Sequence, residues 1–396
     1  MARRPPLAGV RVLDLTRFVA GPYCTMLLAD EGAEVVKLEP PGGDETRGLD
    51  ATLDGESTYF LRFNRNKKSA GLDLKSESGR DVFERLLRGA DVLVENFRPG
   101  VLERLGFTWE RMRELNPRLI YATITGYGHA PSPFRDRAAF TPIVEATAGT
   151  VIYHSPDGAP TITGYPVGDI FPASLTAGAI AMALYRREHD GEGARIDMAM
   201  FDAMVSMNER AVGMAGMLGR DFLPGRASDL GSAPSGIFKA TDGFLSISAV
   251  GDRIWLRLCG ALGRDDWTTD ERLATGPMRA EHFADIIKPG LEDWLSTRTR
   301  AEAVEILIAA GVPSAEVARP LEIIDSPQAA ARDMIVRYPG SQEGVTATVA
   351  GHPIRFEGED RPPAGAAPKI GQHTTEVLRE WASMSQEEID ALTAVS

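Results

Sequence analysis

Residues 10–38 read VRVLDLTRFVAGPYCTMLLADEGAEVVKL and combine two extended patterns with a helical one. Val10 to Leu15 alternates between apolar and polar residues, and Gly21-Pro22 then interrupts the chain. Tyr23 to Asp30 has helical spacing, and Glu34 to Leu38 returns to a strand pattern around two valines. The stretch predicts a strand, a helix and a second strand, which is the unit from which parallel sheets are built.

The alternation of strands and helices continues along the chain. It predicts strands at Gly71 to Leu74, Asp91 to Val94, Leu119 to Thr125 and Ile196 to Met200, and helices at Ser78 to Arg88, Trp109 to Leu115, Pro172 to His189 and Phe201 to Met207. Strands that alternate with helices favour a parallel sheet covered on both faces. We therefore expect an α/β fold with a large Rossmann-like parallel-sheet domain over residues 1–224.

A different texture follows the loop rich in Gly, Pro and Ser before residue 236. Two extended stretches flank Asp242-Gly243, which is a hairpin signal, and Thr299 with Glu302 three residues later predicts a capped helix. We expect a smaller α+β domain at 225–322. Residues 323–396 are predicted to be a linker and a C-terminal segment that returns to the large domain, loop-rich over Ala347 to Pro368 and helical from His373 to Glu380.

Composition limits the classes of partner. The 396 residues carry a formal net charge of −13, which disfavours a nucleic-acid partner because phosphate binding needs clustered basic surface. Cys24 and Cys259 are far apart and form no CxxC pattern, so neither a disulfide framework nor a zinc site is indicated. We predict a cytoplasmic protein, without a signal sequence or a run of about 18 apolar residues that would place it in a membrane.

The sequence lacks several familiar catalytic signatures. It contains no Gly-x-Gly-x-x-Gly after the first strand, no P-loop, no Gly-x-Ser-x-Gly and no His-Glu-x-x-His. What stands out is GYPVGD at 164–169, which places Asp169 at a turn before a helix. An Asp there is most often an N-cap, but a carboxylate near backbone N–H donors can also be a nucleophile toward an acyl thioester.

Basic residues gather near the ends of the predicted strands. NRNKK at 64–68 precedes Lys75, and NFRPG at 96–100 precedes Arg104. In a parallel sheet the carboxyl ends of the strands border one crevice, so these residues indicate an anionic ligand, although each run alone could be a solvated face.

Six stretches together resemble the class III coenzyme A transferase family, which is related to the α-methylacyl-CoA racemases. They are LDLTRFVAGP (13–22), GAEVVKLE (32–39), FNRNKKS (63–69), VENFRPG (94–100), GD (168–169) and GQHT (371–374). The resemblance spans nearly the whole chain. It implies a CoA-transferase that moves CoA from an acyl-CoA donor to a free carboxylic acid.

The resemblance also implies roles for particular residues. Asp169 would form a mixed anhydride and then an aspartyl-CoA thioester, so neither a metal nor a redox cofactor is implied, and coenzyme A enters as a substrate. The implied contacts with coenzyme A are at Val19, Ala20, Leu72, Lys75, Asn96, Phe97, Arg98 and Arg104. The family resemblance further implies an interlocked homodimer.

Departures from the family pattern concern the substrate. Formyl-CoA transferases have glutamine, tryptophan, tyrosine and glutamate at the positions of Val19, Leu49, Phe140 and Thr141, so oxalate and formate are disfavoured. The stretch 56–69 looks closer to the succinate-using branch, and Arg17 or Arg47 could hold a distal carboxylate. The loop Gly231 to Gly236 replaces a glycine-rich loop of that family and would be stiffer.

Two alternatives remain at this level. A 2-methylacyl-CoA racemase needs a histidine base where this chain has Ala139 to Thr141, and nearby His129 is expected to be an exposed loop residue. A CoA-binding protein without turnover is the other alternative, and Val19 in place of a polar group is its support.

Overall fold

The computed structural model describes residues 4–153, 158–221, 233–340, 344–359 and 363–394. Within these limits the chain divides into two compact units. The first contains the residues up to 150, 162–209 and those from 328 onward, and the second contains 151–161 and 210–327. The second unit thus begins before residue 225 and also takes in a short excursion at 151–161, which no composition change marks.

The first unit opens with most of its strands and helices. In chain order they are β1 (Arg11–Asp14), α1 (Ala20–Asp30), β2 (Glu34–Glu39), β3 (Thr52–Leu53), β4 (Glu56–Ser57), α2 (Thr58–Phe63), β5 (Lys67–Gly71), α3 (Glu77–Gly89), β6 (Val92–Glu95), α4 (Val101–Arg104), α5 (Trp109–Leu115), β7 (Ile120–Thr125), α6 (Thr141–Thr147), α7 (Val167–Asp190), β8 (Ala194–Ala199) and α8 (Met200–Met207). The predicted strand at 71–74 is wrong, because β5 lies at 67–71 and includes two lysines.

Six of these strands form one parallel sheet in the order β5-β2-β1-β6-β7-β8. Leu13 of β1 pairs with Val36 on one side and with Leu93 on the other. The chain moves outward from β1 to β5 and then returns to begin the other half at β6. This arrangement confirms the predicted Rossmann-like α/β fold, and it puts the topological switch point between β1 and β6.

The alternation of side chains along the strands supplies two cores, one on each face of the sheet. On one face the strands contact α1, α6, α7 and α8 through a cluster that includes Val12, Val35, Val94, Cys24 and Ile180. On the other face a cluster that includes Leu13, Val36, Leu93, Phe83 and Met112 covers the sheet with α3 and α5. Helices therefore lie on both faces, as near-continuous apolar strands require.

Helix α7 begins five residues earlier than predicted. Pro172 lies inside it, and because proline lacks an N–H group it removes a single backbone bond near the first turn without ending the helix. Gly191 ends the helix with a left-handed φ of 78°. Among the described residues α7 is the one helix long and apolar enough to cross a membrane by length and composition, and it contacts α1 within the first unit.

The second unit is built around a three-stranded antiparallel sheet, β11-β10-β9. Its elements, with the helix leading into it, are α9 (Glu209–Leu218), β9 (Ser235–Ala240), β10 (Gly243–Ser248), α10 (Asp252–Leu262), α11 (Asp266–Thr269), α12 (Gly276–Glu281), α13 (Lys288–Leu295), α14 (Arg300–Ala309), β11 (Ser314–Glu316) and α15 (Pro320–Ile324). The hairpin at Asp242-Gly243 is confirmed, and so is the capping box in which Thr299 and Glu302 begin α14.

The C-terminal part of the first unit adds α16 (Pro327–Ala331), β12 (Ile335–Pro339), β13 (Thr346–Ala350), α17 (Thr374–Trp381) and α18 (Gln386–Ala394). Strand β13, which pairs antiparallel with β12, occupies the start of the segment predicted to be loop-rich, and β12 lies before that segment. Val377, Leu378 and Trp381 of α17 are buried in the core that covers α3.

Candidate active site

Two loops meet at the switch point of the sheet, one after β1 and one after β6. The Arg17 backbone N–H donates to the Asn96 side-chain oxygen over 2.8 Å, and the Asn96 amide donates to the Arg17 carbonyl over 2.7 Å. The guanidinium of Arg17 also lies 5.1 Å from the ring centroid of Phe97. Phe18 has a φ of 63°, which is strained for an aromatic residue and is held by these contacts.

A cavity of about 270 Å³ opens beside these loops. The described residues that line it are Arg17, Phe18, Ala20, Asn96, Phe97, Arg98, Pro99, Ile124, Thr125, Gly126, Arg135, Arg137, Ala138, Ala139, Phe140, Asp169 and Met200. Five of the residues singled out in the sequence, Asp169 with Ala20, Asn96, Phe97 and Arg98, thus border one space. Its position at the carboxyl ends of the strands is where open α/β sheets bind ligands.

Asp169 is the third residue of α7 rather than its N-cap, which is Pro166. The Thr141 hydroxyl, at the start of α6, donates a hydrogen bond to Asp169 Oδ2. Gly168 permits this approach: a Cβ there would lie 2.8 Å from Val144 Cγ2 and 3.1 Å from Thr141 Cα. The capping explanation is therefore wrong for Asp169, whose carboxylate faces a cavity.

Burial raises the pKa of the Asp169 carboxyl, and the hydrogen bond from Thr141 opposes this change. No described lysine or arginine lies within ion-pair distance of it. Burial also raises the pKa of Tyr59 to about 12, and the next contribution is the nearby Asp169 carboxylate. A partly desolvated carboxylate held by one hydroxyl is a more reactive anion than one neutralised by a cation.

Four basic residues near this edge of the sheet have no carboxylate partner among the described residues: Lys75, Arg98, Arg104 and Arg137. Arg98 and Arg137 line the cavity, and Lys75 and Arg104 are exposed at the loops after β5 and in α4. In a chain with excess negative charge, cations without acidic partners are suited to bind an anionic ligand. We call these four residues the unpaired cations.

The other basic stretch has a structural role. Lys67 Nζ donates to Asp14 Oδ2 over 3.0 Å, and Lys37 Nζ lies 2.7 Å from Asp44 Oδ2 and donates to the Thr16 carbonyl over 2.6 Å. We call Asp14, Lys37, Asp44 and Lys67 the buried charge cluster. Although burial opposes it, Lys67 and Lys37 lower the pKa of Asp14. These groups satisfy one another and leave no charge for a ligand.

Arg65 and Arg47 are paired in the same way. Arg65 binds Asp30, and Arg47 forms a bidentate pair with Glu39 over 2.8 and 2.7 Å. Of the two arginines considered for a distal carboxylate, Arg47 is therefore occupied. Arg17 lines the cavity and has one exposed partner, Glu45, at 3.3 Å.

The remaining sequence candidates do not line the cavity. Val19 is buried at the N-cap of α1, and Leu72 is buried in the core after β5. Leu49 is exposed at the end of a 3₁₀ helix. Of the loop Gly231 to Gly236, residues 231 and 232 lie outside the described residues.

His129 is not the exposed loop residue that was expected. Its side chain is 9% exposed, because the loop after β7 folds over Glu95 and β8. The His129 backbone N–H donates to the Asp197 carboxylate over 2.9 Å, which fixes the loop.

A second cavity, of about 370 Å³, lies elsewhere in the first unit and contains none of the predicted nucleophile and CoA-contact residues, although Arg65 and Asn66 of the NRNKK stretch line it. Its wall includes Asp30, Glu31, Arg65 and His352. These groups pair with each other, Arg65 with Asp30 and His352 Nε2 with Glu31 at 2.6 Å. Greater volume does not make this cavity the better candidate for an anionic ligand, since four carboxylates line it and its one arginine is bound to Asp30.

Sequence reasoning missed three neighbours of Asp169 or of the cavity: Tyr59, Arg135 and Arg137. Tyr59 lies within the stretch 56–69 that was noted for its likeness to succinate-using enzymes. The two arginines belong to the segment PFRDRAAF (133–140), which joins β7 to α6. The signal that could have revealed these arginines was the concentration of charged residues just before α6, the helix that contacts α7.

Known proteins place these features in context. The sequence model of CoA-transferase family III matches residues 7–374. The chain is 38% identical to succinyl-CoA:mesaconate CoA-transferase of Haloarcula hispanica, over 94% of this chain and 96% of that protein. It is 36% identical to formyl-CoA:oxalate CoA-transferase of Rhodopseudomonas palustris, over 94% and 93% of the two chains.

Solved structures of other proteins also superpose on this chain. A CaiB/BaiF family protein from Brucella suis superposes with a TM-score of 0.84 at 31% identity, covering 96% of this chain and all of that one. A hypothetical protein from Mycobacterium tuberculosis superposes with a TM-score of 0.82 at 33% identity, covering 95% and 99% of the two chains.

Proposed function

Since this chain belongs to CoA-transferase family III and is a CoA-transferase acting on acyl-CoA and carboxylic acids, we propose that Asp169 carries the acyl group and then CoA. The observation that carries the proposal is that Asp169 borders the same cavity as Asn96, Phe97 and Arg98, while no lysine or arginine of the described residues lies within ion-pair distance of it. The unpaired cations would receive the phosphates of CoA, and the other predicted contacts, Val19, Ala20, Leu72, Asn96 and Phe97, would touch the rest of the CoA molecule.

The proposed reaction begins with attack of the Asp169 carboxylate on the thioester carbonyl of the donor. The new C–O bond forms as the C–S bond breaks, which yields a mixed anhydride and CoA thiolate. The thiolate then attacks the Asp169 carbonyl and releases the donor acid, leaving an aspartyl-CoA thioester. The acceptor carboxylate reverses these two steps and regenerates Asp169, so no proton is consumed.

The residues around Asp169 suit this sequence. Burial of the carboxylate makes the anion less stabilised by solvent, while the Thr141 hydroxyl fixes one of its oxygens so that the other faces the cavity. Position in the first turn of α7 places the positive end of a helix beside the developing charge on the acyl oxygen.

We further propose that the acceptor is a dicarboxylate such as succinate. One carboxylate would react at Asp169, and the other would pair with Arg17, Arg135 or Arg137, which line the same cavity. The Haloarcula and Rhodopseudomonas relatives are named for mesaconate and oxalate, which are both dicarboxylic acids. No histidine lines the cavity among the described residues, so no observation favours racemisation.

The test is to trap the enzyme-bound intermediate. After incubation with succinyl-CoA, hydroxylamine should convert Asp169 to a hydroxamate that intact-protein and peptide mass measurements locate, and Asp169→Ala should abolish both label and turnover. Asp202, in the first turn of α8 and outside the cavity, gives a matched control, and Asp202→Ala should retain both. Turnover by Asp169→Ala would contradict the mechanism. A panel of free mono- and dicarboxylic acids in the same assay identifies the acceptor.

We propose a homodimer as the working form, interlocked as the family resemblance implies. Leu175, Met182 and Tyr185 are exposed along one face of α7, where large apolar side chains favour burial by another chain. Sedimentation equilibrium that gives the mass of a single chain would contradict this proposal. Localisation in the cytoplasm remains a prediction from the absence of disulfides among the described residues.

A further inference from the structure

Glu95 lies directly behind the cavity without lining it. It is the last residue of β6 and is 2% exposed. Its Oε2 accepts a hydrogen bond from the Phe97 backbone N–H over 2.5 Å, and its Oε1 accepts one from the Tyr121 hydroxyl over 3.0 Å. The carboxylate therefore holds the backbone of a residue whose side chain borders the cavity.

His129 faces the same carboxylate from the loop after β7. Arg195 Nη2 lies 3.1 Å from His129 Nδ1, and because arginine has only donors, Nδ1 must accept and the ring hydrogen must be on Nε2. His129 Nε2 lies 3.9 Å from Glu95 Oε1 and has no closer hydrogen-bond partner among the described residues. The protonated Nε2 thus lies on the side of the ring that faces Glu95, at a separation longer than a direct hydrogen bond.

The groups around Glu95 determine its charge. Burial raises the pKa of Glu95 to about 7, while the hydrogen bonds from Phe97 and Tyr121 and the positive charge of Arg195 oppose the rise, and Glu103 adds to it. Burial and Arg195 lower the pKa of His129, while the carboxylates of Asp197 and Glu103 oppose this change. Glu95 consequently changes charge near neutral pH.

The turn that Glu95 holds is the one that contains three of the proposed CoA contacts. Asn96 ties this turn to the loop after β1 through its two bonds to Arg17, and Glu95 ties it to β7 through Phe97 and Tyr121. A carboxylate accepts an amide hydrogen bond about twice as strongly as a neutral group does. If Glu95 lost its charge, its hydrogen bond from the Phe97 backbone N–H would weaken. The turn would then be held less firmly on the side opposite to Asn96.

We propose that Glu95 is a positioning residue for CoA: its ionised carboxylate, supported by the Tyr121 hydroxyl, fixes the Phe97 amide and thereby the Asn96 to Arg98 turn. The inference rests on the proposed function in one respect, since it takes the cavity to be the CoA site. It concerns binding rather than chemistry, because Glu95 touches no reacting atom.

The experiment measures CoA affinity by calorimetry between pH 5.5 and 8.5 in an Asp169→Ala background, where no acyl transfer and no titration of Asp169 interfere. We expect the Kd to rise roughly fivefold as the pH falls through about 7. With Glu95→Gln added, the Kd should stay at the weaker value throughout, and dividing the two curves removes the titration of CoA itself.

Two further variants should change the pH at which the Kd is half-way between its two limits. They should leave the Kd at low pH and the Kd at high pH unchanged. Tyr121→Phe removes a hydrogen bond that favours the ionised form, so the midpoint should move to higher pH. Glu103→Gln removes a repelling charge, so the midpoint should move to lower pH. A role of Glu95 confined to folding would produce neither shift.

Identical Kd values and pH dependence with and without Glu95→Gln, in protein that folds by circular dichroism, would overturn the inference. This outcome is separable from failure of the proposed function: an enzyme that transfers CoA but lacks the pH-dependent Kd refutes the role of Glu95 alone. An enzyme that binds CoA in this way but forms no hydroxamate at Asp169 refutes the mechanism alone.

Discussion

The buried charge cluster and the cavity each contain an aspartate near basic residues, yet they differ in how charge is compensated. Asp14 and Lys67 are fully buried and lie 3.0 Å apart, and Thr16 and Thr25 also donate to Asp14. Among the described residues, Asp169 has a single hydroxyl partner, and the unpaired cations have no carboxylate partner. Accordingly the pKa of Asp14 is lowered, whereas that of Asp169 is raised.

The difference separates two uses of charged residues that look alike in the sequence. Charges in the cluster cost desolvation that their mutual attraction offsets, so they hold β1, β2 and β5 in register. Charges at the cavity keep unused bonding capacity for a ligand. Three predictions test this division, beginning with the one that should change the protein most.

The first concerns stability. Lys67→Met leaves Asp14 buried without its main counter-charge, and we expect a loss of about 3–5 kcal/mol in the free energy of unfolding, measured with urea. Lys68→Met is the matched control, because Lys68 is 28% exposed and its pairs with Glu34 and Glu376 should contribute no more than about 1 kcal/mol. Equal losses in the two variants would remove the distinction between cluster and surface pairs.

The second concerns ligand binding. Arg98→Ala should raise KM for acyl-CoA about tenfold, as expected for loss of one charge-assisted hydrogen bond, and should change the free energy of unfolding by less than about 0.5 kcal/mol. Arg113→Ala, at an exposed pair with Glu192, should affect neither quantity. A destabilised Arg98→Ala with unchanged KM would assign Arg98 to structure.

The third concerns the pH dependence of catalysis. In the proposed mechanism Asp169 reacts as the carboxylate, so kcat/KM should fall as the pH drops through its pKa, which the hydrogen bond from Thr141 lowers. Thr141→Val should therefore move the acid limb to higher pH. Thr141→Ser keeps the hydroxyl and should leave the limb in place. If the two variants behave alike, the hydrogen bond does not tune Asp169.

The strands of the sheet could be predicted where they are apolar. The prediction failed where a strand carries charged residues. The alternation in residues 10–15 and 34–38 led directly to β1 and β2. In β5, Lys67, Lys68 and Ser69 looked polar enough to be a loop, and the strand was predicted four residues later. Their partners, Asp14, Glu34 and Glu39, come from distant parts of the chain, so local patterning could not reveal that these side chains are neutralised.

The candidate site, too, could be predicted only where local sequence patterns indicate it. Asp169 and the Asn96 to Arg98 turn could be found because each stands in a distinctive motif. The bond from Thr141, the position of Arg137 in the cavity wall and the burial of His129 depend on how the loop between β7 and α6 folds. That conformation is determined by tertiary contacts such as those of His129 with Asp197 and of Gly126 with Ala139.

The small size of Gly168 leaves the space in which α7 can approach α6 and Asp169 can reach Thr141. A single methyl group at this position would push α7 away from α6 and change the aim of Asp169, although every ionisable group and every donor of the site would remain. Ionisable and donor groups are therefore only part of what this arrangement requires: an empty volume the size of one carbon atom limits the sequences that can hold the Asp169 carboxylate against Thr141.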